Sequence, residues 1–331
     1  MSELQTPSKI LRNKFLENVQ NGNNATPLKI PASPMMKSLG FGTGVNVYKY
    51  DRSPRSGIVR SPWAIKKIAK KYAMDSSFEA RFQNEASILR KLNHPNIIGF
   101  RALNEIQGST TLALECGGKS LGDILEERME EEMDPLPFAY VNKTIKDILK
   151  GLDYLHNTAK ILHADVKSYN VLVNGDFEIC KLCDFGVSLP MDGEGNVNFK
   201  KHPELKFVGT PAWCAPEALD DCEIIDCKAD IFSFGMVIYE MLAGIPPHTA
   251  HIMDDDDSFA SDDKENSTLN VDGTLYGTRP LFPDRFELKD DYHVAFELFC
   301  VCSVSDADDR PTAKELLSVL DEDWGILHEN Y

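Results

Sequence analysis

A helix that is apolar on every side can sit only inside a protein, with other elements packed all round it. Residues Ala229 to Leu242 read as such a helix. The wider apolar stretch, Ile231 to Pro247, is broken by Ser233 and Glu240 and is too short to span a bilayer. It therefore predicts a buried central helix, not a membrane anchor. A chain of 331 residues is too long for one small core, so two packed lobes are expected around it. Met1 to Lys14 is polar, carries Lys9, Arg12 and Lys14, and has no apolar run of signal-peptide length. A soluble, intracellular protein is expected.

Charge narrows the partners. Asp and Glu number 52 against 35 Lys and Arg, a net −17, which argues against nucleic-acid binding through general electrostatics. Eight cysteines spread through a long chain read as reduced thiols, not as a disulfide scaffold. Two pairs invite a zinc reading, Cys180-x-x-Cys183 and Cys300-x-Cys302. The first lies in Phe177–Cys183, which alternates like a strand and would point residues three apart to opposite faces. Small buried hydrophobes are the favoured reading.

Along the chain, residues 1–35 are rich in Asn, Pro, Ser and Thr and read as a disordered tail. Strands are predicted over Leu39–Tyr50, Pro62–Ile68 and Thr110–Glu115, with a helix over Phe78–Leu92 between them. After Gly117 helices dominate. Val141–His156 carries Ile145, Ile148, Leu149, Leu152 and Leu155 on one face, and Pro311–Leu320 should close the domain as a helix begun by proline. An acidic insertion, residues 251–273, contains Asp254-Asp-Asp-Asp257, Asp262, Asp263 and Glu265 against Lys264, the texture of a solvated loop.

Four short runs carry chemistry. Leu39-Gly-Phe-Gly-Thr-Gly-Val-Asn-Val-Tyr48 is a glycine-rich strand–turn–strand that lets backbone approach phosphate. Trp63-Ala-Ile-Lys66 places a lysine in an apolar strand, where it needs an anion, and Glu85 on the next helix is a suitable one. His163-Ala-Asp-Val-Lys-Ser-Tyr-Asn170 and Asp184-Phe-Gly186 supply a base and oxygen ligands of the kind Mg²⁺ takes. With Ala215-Pro-Glu217, this ordered set resembles the protein kinases over about Met36 to Leu327.

The resemblance implies an α+β, bilobal protein kinase fold: a small strand-rich N-lobe (36–116) and a large helical C-lobe (117–328). It implies ATP and Mg²⁺ as cofactors. Lys66 should hold the α- and β-phosphates and pair with Glu85. Asp165 should orient and deprotonate the substrate hydroxyl, Lys167 should neutralise the transferring phosphoryl group, and Asn170 and Asp184 should bind Mg²⁺. Leu39, Gly40, Phe41, Gly42, Thr43, Gly44 and Val45 form the loop over the nucleotide. Val47, Ala64 and Leu172 should sandwich the adenine, with Leu114 as gatekeeper and Glu115 and Cys116 opening the hinge. Asp230 should brace the catalytic loop, and Glu217 and Arg310 should form a buried ion pair. Lys167 and Gly209-Thr210 follow the Ser/Thr pattern, with tyrosine left open as a second acceptor.

A narrower likeness rests on Ile30–Pro34, Gly40–Tyr48, Ser61–Ile68 and Asp184–Pro190. These resemble the PDZ-binding branch of the mitotic, mitogen-activated-protein-kinase-kinase-like kinases. That branch implies cytoplasmic and nuclear residence, protein substrates including MAP kinases, and control in mitosis. Thr6-Pro-Ser-Lys9 and Thr26-Pro-Leu-Lys29 match the cyclin-dependent kinase pattern, as Ser33-Pro34 does minimally. Lys264-Glu265-Asn266 matches the degradation signal read by the anaphase-promoting complex. The chain ends His328-Glu-Asn-Tyr331, whereas a PDZ groove prefers a small aliphatic last residue, which argues against a PDZ partner here. Val45 stands where kinases usually place the third glycine. Ala164 replaces the arginine that would grip an activation-loop phosphate, and Ser188 is the one hydroxyl residue between Val187 and Gly209. Activity independent of activation-loop phosphate is expected. The alternative to an active enzyme is a pseudokinase scaffold that recruits partners through its tail and insertion.

Overall fold

The computed structural model describes residues 36–42, 45–52, 60–69, 72, 76–106, 109–250, 273–284 and 286–328. Thr6, Thr26, Ser33, Thr43, Gly44, Lys264-Glu265-Asn266 with insertion residues 251–272, and Glu329–Tyr331 lie outside the described residues.

Among the described residues, the first part is a five-stranded antiparallel sheet and one α-helix. Strands β1 (Met36–Gly42), β2 (Val45–Tyr50) and β3 (Trp63–Ile68) are followed by helix α1 (Ser76–Leu89), then by β4 (Phe100–Ile106) and β5 (Ser109–Glu115). The order across the sheet is β1-β2-β3-β5-β4. Leu112, Ala113 and Leu114 of β5 are buried in succession, as an inner strand requires. Helix α1 lays Phe82, Ala86 and Leu89 into this core. It stops at Leu89, short of Leu92, because the chain tightens through Lys91 N–H to Ile88 and Leu92 N–H to Leu89 on its way to Pro95.

The second part is mainly helical. The short strand β6 (Lys119–Ser120) leads into α2 (Leu121–Glu130) and α3 (Phe138–Asp153). Ser120 caps α2 by accepting the Asp123 N–H at 3.0 Å. The amphipathic face of α3 buries Val141, Ile145, Ile148, Leu149 and Leu152, and a π-helical turn, Tyr154–Ala159, carries the chain on. Then come β7 (Ile161–Leu162), β8 (Val171–Asn174), β9 (Ile179–Leu182), β10 (Leu189–Pro190), β11 (Asn196–Asn198), α4 (Pro216–Leu219) and β12 (Ile224–Asp226). The central helix α5 (Lys228–Ala243) follows, and Ile231, Phe232, Phe234, Met236, Val237, Ile238, Tyr239 and Met241 along it have no exposed surface. Helices α6 (His293–Cys302) and α7 (Ala313–His328) complete the lobe. Helix α7 begins two residues after Pro311 because Thr312 is its cap. Thr312 Oγ1 accepts the Glu315 N–H, and Glu315 accepts back from the Thr312 N–H at 2.8 Å.

The lobes are joined at a few points. Leu182 of β9 exchanges backbone hydrogen bonds with Asn96 and Ile98, and Lys181 meets Glu115 at 2.7 Å. The eight cysteines are free thiols. Cys180 is buried beside Thr144, and burial pushes its thiol up to about 11, against the thiolate a metal would need. Among the described residues no helix is long and apolar enough to cross a membrane.

Candidate active site

Register places several of the expected cleft residues on one face of the sheet. Val47 lies opposite Lys66 across β2 and β3, and Lys66 and Ala64 lie opposite Leu112 and Leu114 across β3 and β5. Directly opposed residues share a face, and so do residues two apart, so Val47, Ala64, Lys66 and Leu114 line one side of the sheet. Lys67 faces the other way, opposite Asn46 and Thr111. Strand β1 pairs with β2, which sets Gly40 across from Val47. Leu172 of β8 closes the cleft from the other lobe. It lies so near Gly117 in the hinge that a Cβ there would stand 2.6 Å from its Cδ1. The Glu115 carboxylate is turned away, onto Lys181 and the Gly99 N–H. Cys116 follows it, half-buried, its Sγ 3.6 Å from the Gly117 carbonyl.

Lys66 joins the lobes. Its Nζ donates to Glu85 Oε2 at 2.9 Å and to Asp184 Oδ1 at 2.8 Å. Burial alone would lower the ammonium, but these carboxylates hold it protonated, well above the usual lysine range. Burial raises the Glu85 carboxyl against the pull of Lys66. Enclosure would raise Asp184 as well, yet Lys66 and the more distant Lys167 hold it ionised, at about 2. Asn84, the neighbour of Glu85, donates its side-chain amide to the carbonyls of Gly186 and Ser188. Helix α1 is thereby tied to the segment after Asp184.

A second cluster surrounds Asp165. Its Oδ1 accepts the Thr210 hydroxyl at 2.6 Å and the Thr210 N–H at 3.1 Å. Its Oδ2 meets Lys167 Nζ at 2.8 Å and accepts the Asn170 amide at 2.9 Å. Lys167 also donates to Thr210 Oγ1 at 2.7 Å. Gly209 permits this approach, since a Cβ there would stand 2.7 Å from the Ala164 carbonyl. Asn170 spends its N–H groups on Asp165, leaving its amide oxygen as the donor to a cation. With the ionised Asp184 it makes a hard oxygen donor set that fits a divalent metal.

Asp230 carries the loop that holds Asp165. It is 1% exposed, and it accepts the N–H groups of His163 and Ala164 at 2.8 and 2.9 Å and meets His156 Nε2 at 2.8 Å. Burial would raise its carboxyl, but the contacts with His156 and His163 hold it below the usual range. Ala164 takes φ +64, a left-handed backbone that costs about 1–2 kcal/mol outside glycine, and Asp230 fixes it there. Glu217 meets Arg310 through two parallel bonds of 2.6 and 2.8 Å.

The sequence motifs thus form two bonded clusters between a sheet and a helical lobe, Lys66 with Glu85 and Asp184, and Asp165 with Lys167, Asn170 and Thr210. Residues 34–320 match the protein kinase domain family. The chain is a protein kinase. The kinase is 43% identical over 329 residues, 98% of its own length and 99% of the relative's, to the human lymphokine-activated killer T-cell-originated protein kinase. It is 33% identical over 238 residues (71% of the chain, 28% of the relative) to serine/threonine-protein kinase dst1 of Dictyostelium discoideum. It is 29% identical over 305 residues (88% and 47%) to germinal center kinase 3 of Caenorhabditis elegans. It is a serine/threonine kinase that uses ATP and a divalent metal.

Three functional side chains escape the motif reading. Ser168 and Trp213 both donate to Glu240 of α5, at 2.7 and 2.8 Å, and Asn84 latches α1. Ser168 lies within the His163–Asn170 run with no role assigned to it there, and no motif flags Trp213 or Asn84. Glu240 was marked in the sequence only as an interruption of an apolar run.

Proposed function

We propose that this kinase is a mitotic, mitogen-activated-protein-kinase-kinase-like enzyme of proliferating cells, acting in cytoplasm and nucleus with Mg²⁺. We also propose that it works without phosphate on its activation loop. The observation that carries the second reading is how residues 187–210 are held. Strand β10 pairs with β7, and β11 pairs with β12. Val197, the middle residue of β11, is 1% exposed, and Met191 N–H bonds the Lys160 carbonyl. Ser188 is itself 1% exposed and gives its hydroxyl to the His163 carbonyl, so a phosphate there would have to displace a core contact. The Thr210 hydroxyl is already engaged with Asp165 and Lys167.

The chemistry follows from these positions. A substrate Ser or Thr hydroxyl attacks the γ-phosphorus, the bond to the β–γ bridging oxygen breaks, and the hydroxyl proton passes to Asp165. Thr210 and Asn170 fix the two oxygens of Asp165. Lys167 faces the charge of the transferring group. Lys66 holds the non-reacting phosphates, and Glu85 and Asp184 keep it protonated and aimed. A metal on Asp184 and Asn170 supplies neutralisation of phosphate charge when bound.

The test is bacterial expression, phosphatase treatment, confirmation of zero phosphate by mass, and an assay with ATP and a protein substrate. Activity should persist, and acid hydrolysis of the product should yield phosphoserine and phosphothreonine. Activity that is lost, and that returns only with phosphate on Ser188 or Thr210, would sink the reading. For the tail we propose mitotic phosphorylation at Thr6 by a cyclin-dependent kinase. Mass spectrometry of mitotically arrested cells should find it modified there, and an unmodified Thr6 would end that proposal.

A further inference from the structure

Ala164 stands where an arginine would draw a phosphorylated segment onto the catalytic loop. The segment that carries Asp184 is nevertheless held to that loop on both sides of Asp184, and by one residue, His163, which has no exposed surface. Before Asp184, the His163 Nε2 lies 3.1 Å from the Cys183 carbonyl, while its Nδ1 accepts the Asp165 N–H at 3.3 Å. After Asp184, the His163 carbonyl accepts the Ser188 hydroxyl at 2.9 Å.

Register explains why this second bond takes a hydroxyl. Strand β10 pairs with β7 through Leu189 opposite Leu162 and Pro190 opposite Ile161, so Ser188 and His163 occupy the next position along. A longer ladder would join them through the backbone. Pro190, however, has no N–H to give, and Ser188 spends its own on the Phe185 carbonyl at 3.3 Å, closing the turn. The side-chain hydroxyl supplies the bond that the ladder lacks. It does so at a residue 1% exposed, where an unbonded hydroxyl would cost stability. The Ser188 carbonyl in turn accepts the Asn84 side-chain amide at 3.2 Å, and the same amide reaches the Gly186 carbonyl at 3.4 Å. Ser188 therefore stands in one bonded line, Asn84–Ser188–His163–Asp165, that runs from the helix carrying Glu85 to the base.

We infer that Ser188 is a positioning residue of this kinase: its hydroxyl clasps the segment carrying Asp184 to the catalytic loop, and its carbonyl passes the position of α1 to that loop. The inference rests on the chain acting as a phosphoryl transferase. The clasp is made of neutral groups, so it needs neither a phosphate nor a cation at position 164. A divalent ion on Asp184 and Asn170 would join the same two segments, so clasp and ion strengthen each other by the same factor. Loss of the hydroxyl should therefore raise the Mg²⁺ concentration needed for half activity, and saturating Mg²⁺ should restore the rate. A residue that merely fills space would lower the melting temperature without moving that midpoint.

The experiment uses the full-length, phosphatase-treated kinase with ATP and a protein substrate. Wild type, Ser188→Ala, Asn84→Ala and the double variant are each titrated with Mg²⁺. Melting temperature and amide exchange over residues 184–190 are measured without nucleotide or metal. Loss of one buried neutral hydrogen bond should raise the Mg²⁺ midpoint of Ser188→Ala about 3- to 10-fold, with a rate at saturation within about twofold of wild type. Exchange over 184–190 should speed up by a similar factor in the metal-free protein. Asn84 is half-buried, and its variant serves where Ser188→Ala fails to fold. It should move the midpoint the same way by about 2- to 5-fold. Because both residues act through one line, the double variant should shift by less than the product of the single shifts. A Ser188→Ala midpoint within about twofold of wild type would overturn the clasp, as would unchanged exchange over 184–190. So would a loss of rate that saturating Mg²⁺ fails to restore. A wild-type midpoint in Asn84→Ala, or single shifts that simply multiply, would overturn the link to α1. An inactive wild type with slow exchange that Ser188→Ala releases would remove only the kinase reading, and one with fast exchange would overturn both.

Discussion

Replacing Asp165 by Asn should lower kcat by about 10²- to 10⁴-fold and leave ATP binding nearly unchanged. The side chain keeps its size and its oxygen, so Thr210 can still donate to it. The new amide, however, faces Lys167 Nζ and the Asn170 amide, which lie 2.8 and 2.9 Å from Oδ2 and are themselves donors. The substitution therefore does two things at the same oxygen. It removes the group that receives the substrate proton, and it sets donor against donor where Lys167 must stay aimed. Both effects appear in the chemical step, so kcat and kcat/KM should fall together. The residues expected to contact ATP, Val47, Ala64 and Lys66, lie on the sheet and make none of the Asp165 bonds, so a fluorescent-nucleotide titration should give wild-type affinity. Phosphate incorporation from radiolabelled ATP is the decisive measurement. A variant within about tenfold of wild type would mean that Asp165 is not the base, and equal incorporation would favour the scaffold alternative outright.

The chemistry of this site was readable because each motif is short and contiguous. Lys66, Asp165, Asn170 and Asp184 each sit in a run whose neighbours mark it, and the order of the runs identifies the fold. What lies between runs was not readable. The Ser168–Glu240 bond spans 72 positions and Trp213–Glu240 spans 27, so nothing local announces either. Strand β4 was missed for a different reason. Phe100–Ile106 contains Arg101, Asn104 and Glu105, and the sheet order puts it at the edge, where one side needs no apolar cover. Helix α2 was missed because its second half is Glu126-Glu127-Arg128-Met129-Glu130, and only Leu121, Gly122 and Leu125 are buried. The apolar central helix and the amphipathic α3 were legible, because a face set by tertiary burial is also a sequence period. The start of α7 was misjudged by two residues. Pro311 suggested the first helical position, but the reciprocal Thr312–Glu315 bonds make Thr312 the cap.

Replacing Arg310 by Leu should destabilise the kinase by about 3–5 kcal/mol, a large part of the 5–15 kcal/mol that holds a typical domain. Arg310 is 1% exposed and every donor on its guanidinium is used. Nε bonds the Val304 carbonyl at 2.6 Å, one terminal nitrogen bonds Glu217 and the Lys228 carbonyl, and the other bonds Glu217 and the Ser305 carbonyl. The guanidinium carbon also lies 5.0 Å above the Phe232 ring of the central helix. Leucine would leave the Glu217 carboxylate, whose side chain is only 15% exposed, without its cation, and would take the guanidinium donors from the Val304 and Ser305 carbonyls just after α6. Lysine keeps the charge but not the fork, so Arg310→Lys should fall nearer to Leu than to wild type. Breaking the pair should cost more than replacing it. Glu217→Gln combined with Arg310→Met should therefore be more stable than Arg310→Leu alone. Urea unfolding followed by tryptophan fluorescence reads all of these as shifts in midpoint at constant slope. Glu217 opens α4 directly after the activation segment, so loss of the pair should also loosen that segment and lower activity at temperatures below the unfolding transition. An Arg310→Leu midpoint within about 1 kcal/mol of wild type would show that this pair does not anchor the lobe.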